Sequence, residues 1–353
     1  MAPQEGEDGM AKIATFGEIM LRLSPPGKEL LFQSPRLEAT FGGAEANVAV
    51  SLALLGHRSR WISIVPANPV GEAALRELRR YGVDVGAVVR GGRRLGLYYA
   101  ETGANERPSR VVYDREGSGL AEAKPGDIDW SAAFDGMDRL HVSGVTPALS
   151  ASAAALTIAA VETARARGMT VSLDLNYRAK LWRYGRPAPE VMRPLAGLAH
   201  LLVGNEEDCQ RSLGIESGIG RVAASGGPDL DACGELTAAV MSAFPNVERV
   251  AITLRGSLSA DWNRWTAVLR NATGFLAGPA YEIRAVVDRI GAGDAFAAGL
   301  LHGLETFKSD AEALDFAVAA GALKHSVLGD WNLSTEKDIL AAARGDRSGR
   351  IRR

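Results

Sequence analysis

Short apolar runs alternate with longer alanine-rich stretches over most of the chain. Residues 12–16 (KIATF) read as a first strand, and 19–23 as a second extended segment closed by the turn signal Ser24-Pro25-Pro26-Gly27. Gly42-Gly43-Ala44-Glu45-Ala46-Asn47 then opens a helix that runs to about Leu55 and is stopped by Gly56. An apolar run at 61–65 precedes a helix over 71–81, closed again by a glycine, Gly82. After Leu140 the alternation resumes, with strands predicted at 140–142, 170–173, 201–203 and 250–254 and a helix over 150–167 that ends at Gly168. Strands alternating with helices predict an α/β fold, a mostly parallel sheet with helices on both faces. No repeat at a solenoid period competes with that reading.

Residues 95–114 break the pattern. Leu97-Tyr98-Tyr99-Ala100 and Arg110-Val111-Val112-Tyr113 are β-prone, and the polar stretch 102–108 separates them. They predict a hairpin, either an edge hairpin or a flap that covers a substrate. Residues 217–231, rich in Gly and Ser, read as a surface loop. Residues 1–10 are acidic and lack the basic-then-apolar order of a signal peptide. They read as a disordered leader, with Met10 as an alternative start, and 346–353 read as a basic tail.

Composition narrows the function classes. A chain of 353 residues with 46% hydrophobic content has ample material for one large domain, placed at 11–345. A net charge of -2 gives no global basic field, so nucleic acid is not an expected partner. No apolar run approaches the roughly 20 residues needed to cross a bilayer, so no membrane is expected either. The two cysteines, Cys209 and Cys233, form no CxxC pattern, which suits a reducing cytoplasm.

Several predicted strands end in polar clusters: 174–178 (DLNYR), 204–208 (GNEED) and 255–257 (RGS). Ligands of open α/β sheets bind beyond the carboxyl ends of the strands, so these clusters should converge on one crevice. The sharpest signal is DRIGAGDAFAAG at 288–299, between an extended stretch at 283–287 and a small-residue helix running to about Glu305. A Gly-Ala-Gly turn into a helix start points free backbone N–H groups outward, where they bind phosphate oxygens. Asp294 stands at the same helix start, and phosphoryl transfer to an alcohol needs a carboxylate to take the hydroxyl proton. Taken alone, the glycines would equally serve a tight turn and Asp294 a helix cap. The chain has no GxxxxGK[ST] and no HRD or DFG set, which excludes P-loop and protein-kinase machinery.

DRIGAGDAFAAG resembles the second signature, DTxGAGD, of the PfkB or ribokinase-like carbohydrate kinases. FGGAEANVAVSLALLG resembles their first, and the two occur in the family's order. Within that family the chain is most similar to 2-keto-3-deoxygluconate kinases. The stretches that carry this are Gly43-Ala44-Glu45-Ala46-Asn47, Leu97-Tyr98, Val112-Tyr113-Asp114-Arg115, HVSGVTPAL at 141–149, LDLNYR at 173–178 with Leu181-Trp182, Lys324-His325-Ser326 and Gly329-Asp330.

The resemblance implies a ribokinase-like fold with a small β lid built from about 18–38 and 93–116, through which two chains pack as a homo-oligomer. It implies transfer of the ATP γ-phosphoryl group to the 6-hydroxyl of 2-keto-3-deoxygluconate, an Entner–Doudoroff type of step. Asp294 would be the base, with the amides of Gly291, Ala292 and Gly293 stabilising the transferring group. Gly43, Asn47, Tyr98, Tyr113, Arg115, Arg178 and Asp330 would bind the sugar acid. Asn176, Asn205, Arg255, Gly256, Gly291, Gly293 and Lys324 would bind the nucleotide, although Lys324 could equally flank a helix end. Asp208 would reach Mg²⁺ through water, and a monovalent cation stays open as a further cofactor. A substrate with a carboxylate beside a keto group suits guanidinium forks, hence the interest in Arg115 and Arg178, whose bland alternative is a solvated surface charge. Three positions depart from the family pattern: Asp208 stands where a glutamate is usual, Arg289 replaces the threonine of DTxGAGD, and 257–265 lacks the usual G-x-x-G. Another sugar kinase such as a fructokinase, and a non-catalytic sugar- or nucleotide-binding regulator, are the alternatives; a nucleoside kinase is disfavoured by the lid arginines.

Overall fold

Six parallel strands form the frame, in the spatial order Arg58–Ile62, Lys12–Phe16, Arg139–Ser143, Thr170–Asp174, Leu201–Gly204 and Arg249–Ser257. The computed structural model describes residues 10–216 and 229–346. The predicted leader up to residue 9, loop residues 217–228 and tail residues 347–353 lie outside these. Asp229, which the sequence reading left in the loop, caps the helix Leu230–Ala243 through the amide of Ala232.

The strands are buried on both faces, as a parallel sheet covered by helices requires. Successive side chains alternate between two cores. Leu202, Val250 and Ile252 join the core under the helices Ala151–Ala166, Ala188–Leu198 and Leu230–Ala243. Leu201, Val203 and Ala251 join the opposite core, under Ala44–Leu54, Ala292–Thr306 and Asp310–Lys324. Local signals set the helix starts. Ser150 accepts the amide of Ala153, and Asn68 accepts that of Gly71 with Pro69 behind it, so the second predicted helix begins at Pro69 rather than 71.

An antiparallel edge completes the nine-stranded sheet. Trp262–Asn271 pairs with Arg249–Ser257, and both Gly274–Ala277 and Tyr281–Arg284 pair with Trp262–Asn271. This corrects one expectation. Residues 255–257, read as a polar cluster past the end of a strand at 250–254, are paired strand: Arg255 opposite Trp265, Gly256 opposite Arg264 and Ser257 opposite Asn263.

A second sheet of four strands lies apart, in the order Glu38–Gly42, Met20–Ser24, Gly96–Glu101, Arg110–Asp114. The central pair is parallel and the outer pairs antiparallel. The hairpin predicted at 95–114 is present, with Tyr98 opposite Tyr113. Glu38–Gly42 extends the sheet past the boundary expected at 38; its first three residues are exposed and carry no apolar alternation that would announce a strand. No helix among the described residues is long and apolar enough to cross a membrane.

The helices Ala292–Thr306 and Asp310–Lys324 pack through glycine. A Cβ on Gly303 would lie 2.7 Å from Cα of Ala313, and one on Gly299 would lie 3.0 Å from Cα of Ala317. Gly303→Val should therefore push the two helices apart at a cost of about 1–3 kcal/mol. Urea unfolding should show a lower midpoint at unchanged slope.

Candidate active site

A cavity of about 510 Å³ lies beyond the carboxyl ends of the parallel strands and is also lined by Met20, Tyr98 and Tyr113 of the second sheet. The polar clusters at the strand ends do converge there, through Asp174, Asn176, Arg178, the 204–208 segment and Arg255.

The helix Ala292–Thr306 begins at the floor of this cavity. Its N-cap, Gly291, has φ 85°, and a Cβ there would meet the Asp330 carbonyl oxygen at 2.2 Å, so both conformation and space demand glycine. Gly293 faces open space. The first amides of a helix have no partner within it, so those of Gly293 and Asp294 are available to an anion. The Ala292 amide is less so, since it already makes a long 3.4 Å bond to the Arg289 carbonyl.

Asp294 is buried, and a second helix start meets it. In Ala44–Leu54, Asn47 Oδ1 accepts the Gly43 amide at 3.2 Å while Asn47 Nδ2 donates to Asp294 Oδ2 at 2.5 Å. Gly43 must be small, because a Cβ would lie 2.0 Å from the Glu18 carbonyl oxygen. Burial pushes the Asp294 pKa up to about 6, against the opposing hydrogen bond from Asn47. A carboxylate in that range is ionised at neutral pH yet basic enough to take a proton.

Beneath the cavity lies a charge cluster that the sequence reading missed. Arg22, on the second sheet, is buried between Asp288 at 2.6 Å and Asp330 at 2.8 Å. Tyr98, also buried, donates its hydroxyl to Asp330 at 2.6 Å. Tyr98 and Asp330, both expected to bind substrate, therefore line the cavity while bonded to each other. Arg115 lines it too, but its Nε donates to Glu18 at 2.8 Å and one terminal nitrogen pairs with the same carboxylate. An arginine expected to be free for a substrate carboxylate is here largely committed to a buried partner. Glu18 follows the first strand closely, and nothing in its spacing announces that pairing.

Arg178 differs. It is exposed in the cavity, donates only to the neighbouring Tyr177 carbonyl, and forms no salt bridge among the described residues. Its charge opposes the upward shifts of Asp294, Asp208 and Asp174. Asp208 accepts the amides of Tyr177 and Asn205, the latter within a capping box, and burial raises its pKa to about 6. Asp174, given no role from sequence, is raised well above the usual carboxylate range by burial and by the nearby carboxylates of Asp208 and Asp294. Asn176 lines the cavity with φ 35° and a buried Oδ1 that has no partner among the described residues.

Gly43, Asn47, Tyr113, Asn205, Arg255, Gly291, Ala292 and Gly293 line the cavity as well. Two expected residues do not. Gly256 is held in the strand ladder, and Lys324 is fully buried, its ammonium directed at the carbonyls of Val327 at 3.0 Å and Asp288 at 3.5 Å. Lys324 is thus part of the packing behind the 288–294 loop and does not line the cavity.

The family model for pfkB family carbohydrate kinases matches residues 10–337. The chain belongs to the pfkB family of carbohydrate kinases. The 2-dehydro-3-deoxygalactonokinase of Haloferax volcanii is 32% identical over 339 residues, covering 96% of this chain and 98% of that one. The 2-dehydro-3-deoxygluconokinase of Bacillus subtilis is 30% identical over 332 residues, covering 93% and 94%. The crystal structure of a 2-dehydro-3-deoxygluconokinase from Thermotoga maritima is similar with a TM-score of 0.88 at 40% identity, covering 95% of this chain and all of that one. The ribokinase-like fold expected from sequence is the fold observed.

The geometry of this pfkB-family site makes a pH prediction. Asp294 must be ionised to accept a proton, so kcat/KM should fall as pH drops through about 6. Asn47→Ala removes a hydrogen bond to the ionised form, so the acid limb should move to higher pH. A pH–rate profile of both proteins checks the sign.

Proposed function

We propose that the protein transfers the γ-phosphoryl group of ATP to the 6-hydroxyl of 2-keto-3-deoxygluconate. The observation that carries this reading is the juxtaposition, in one cavity, of buried Asp294, the helix start at Gly291–Gly293 and the guanidinium of Arg178, which forms no salt bridge among the described residues. The relatives named for 2-dehydro-3-deoxy sugar acids support the substrate class.

Asp294 accepts the proton of the 6-hydroxyl as that oxygen attacks phosphorus, and Asn47 holds the carboxylate in place. The amides of Gly293 and Asp294 stabilise charge on the transferring group. Arg178 supplies the cation for the substrate carboxylate, and Tyr113 a hydroxyl for its oxygens. Tyr98, Asp330 and Arg115 shape the wall, since their polar groups are already paired.

Among the described residues no group of three or more His, Cys, Asp or Glu is placed to hold a metal. Mg²⁺ carried with the nucleotide keeps most of its waters and takes few carboxylates. Asp208, which lines the cavity, is the residue that would reach it, through water. When bound, Mg²⁺ neutralises charge on the β- and γ-phosphates.

The second sheet is proposed as a lid that excludes water from the transfer. Its exposed Leu30, Phe32, Val112 and Tyr113 would form the contact between two chains. Two buried free cysteines, Cys209 and Cys233, suit a cytoplasmic location.

Coupled ADP release with ATP and Mg²⁺ tests the reading on 2-keto-3-deoxygluconate, its galacto epimer, fructose, ribose and gluconate. The gluco keto acid should be turned over best, and Asp294→Ala should lose about 100-fold or more in kcat. Faster turnover of fructose would remove the substrate assignment. An active Asp294→Ala enzyme would remove the mechanism.

A further inference from the structure

Glu45 has no part in the mechanism above, yet it is the least exposed carboxylate among the described residues, at 1%. It stands in the first turn of Ala44–Leu54, two residues before Asn47. Its Oε1 accepts the Ser143 hydroxyl at 2.8 Å, the Ser143 amide at 3.2 Å and the Thr146 hydroxyl at 2.8 Å. Gly17 leaves room for the other oxygen, since a Cβ there would lie 2.0 Å from Oε2. These donors are neutral, and the charge that acts on Glu45 is the like charge of Asp294. An acid buried in such surroundings is costly.

Its contacts join two walls of the cavity. Gly43, Ala44 and Asn47 line the cavity from the helix start, and Val145 lines it from the turn after Arg139–Ser143. The Ser143 hydroxyl that donates to Glu45 also accepts the Val145 amide at 3.3 Å. One carboxylate oxygen therefore fixes Val145 relative to Asn47, and Asn47 donates to Asp294.

We propose that Glu45 is a positioning residue for the transfer: by bonding the 143–146 turn it keeps Val145 and Asn47 in place around Asp294, and when ionised it adds a second negative charge that makes Asp294 a stronger base. The proposal rests on the reading that Asp294 takes the hydroxyl proton.

The electrostatics agree with that geometry. Burial pushes the Glu45 pKa up to about 7, opposed by the hydrogen bonds from Ser143 and Thr146, and the charge of Asp294 raises it as well. Such an interaction is reciprocal, so ionised Glu45 raises the proton affinity of Asp294. The other titratable groups around it are occupied or neutral. Glu18, which follows Gly17, is paired with Arg115, and Asp330, beside Gly42, with Arg22. His141, two residues before Ser143, is kept neutral by burial, which lowers its pKa to about 4. Asp174, opposite Ser143 in the sheet, is itself pushed by burial toward its neutral form. With Asp294 at about 6 and Glu45 at about 7, the pair ionises in two steps.

The test measures pH–rate profiles in wild type, Glu45→Gln, Glu45→Ala and Ser143→Ala, on whichever sugar is turned over best, so that failure of the substrate assignment leaves it intact. Wild-type activity should rise in two steps with pH. Glu45→Gln, which keeps the size and an acceptor but not the charge, should rise in one step, with activity above pH 7 lowered by about three- to tenfold and the sugar KM within about twofold of wild type. Ser143→Ala removes a donor to the ionised form, so the upper step should move to higher pH. Glu45→Ala should also raise the sugar KM, because Val145 loses its anchor. Infrared titration of the carboxyl groups, which needs no turnover, should lose the step near 7 in Glu45→Gln, and in Asp294→Ala that step should move to lower pH. The proposal is overturned if folded Glu45→Gln keeps both kinetic steps, if it loses thermal stability with an unchanged profile, or if the Glu45 titration does not respond to Asp294→Ala. An active Asp294→Ala enzyme would instead remove the base itself, a failure read in that variant alone.

Discussion

A single buried guanidinium ties the second sheet to the loop proposed to carry the chemistry. Arg22 projects from Met20–Ser24 to the carboxylates of Asp288 and Asp330, with almost no exposure to solvent. Removing three charges from water is expensive, and the arrangement holds only because each is paired. Asp288 also accepts the amides of Ile290 and Gly329, so one carboxylate fixes both segments that converge on Gly291. Asp330 takes the Tyr98 hydroxyl, which anchors a second strand of the small sheet to the same point. Loss of any one partner would leave an uncompensated buried charge, which typically costs about 3–5 kcal/mol.

The Asp294 carboxylate, proposed as the base, depends on that anchoring and on two close backbone approaches. Gly291 touches the Asp330 carbonyl and Gly43 touches the Glu18 carbonyl, and these contacts let two helix starts meet. Asn47 and Asp294 are the residues at the meeting point, joined by a short hydrogen bond. Burial raises the basicity of Asp294, the Asn47 donor moderates it, and the helix start beside it favours anions. A basic carboxylate and an anion site therefore come from the same few residues, which suits phosphoryl transfer, where catalysis is mostly positioning and charge stabilisation.

The charges of the cavity are layered. Carboxylates with raised pKa values, Asp174, Asp208, Asp294 and Asp330, lie buried. Arg178, Arg255 and Arg289, which form no salt bridge among the described residues, stand around them, and Arg178 and Arg255 are exposed. This division separates residues that hold the architecture from residues free to meet a ligand. Arg115 and Tyr98, with their charges and hydroxyls already matched by Glu18 and Asp330, belong to the first class.

Much of this was legible in the sequence. The alternation of apolar runs and alanine-rich stretches gives the parallel sheet, because buried parallel strands leave a continuous apolar trace and helix stops are marked by glycine. DRIGAGDAFAAG gives the helix start and its carboxylate, because only glycine fits the turn at 291. Burial partners left no such trace. The pairing of Arg22 with Asp288 and Asp330 joins residues over 260 positions apart in part of the network, and that of Arg115 with Glu18 spans 97. A lone arginine in a β-prone segment reads the same whether it is buried in an ion pair or open to a ligand. Lys324 likewise sits in the last turn of its helix in either case, and only packing shows its ammonium enclosed behind the loop. The sequence determined which local shapes form and which chemistry they can present, since both follow from neighbouring residues. Only the tertiary structure decided which charges cancel one another and which remain for a substrate, because that depends on distances between segments far apart in the chain.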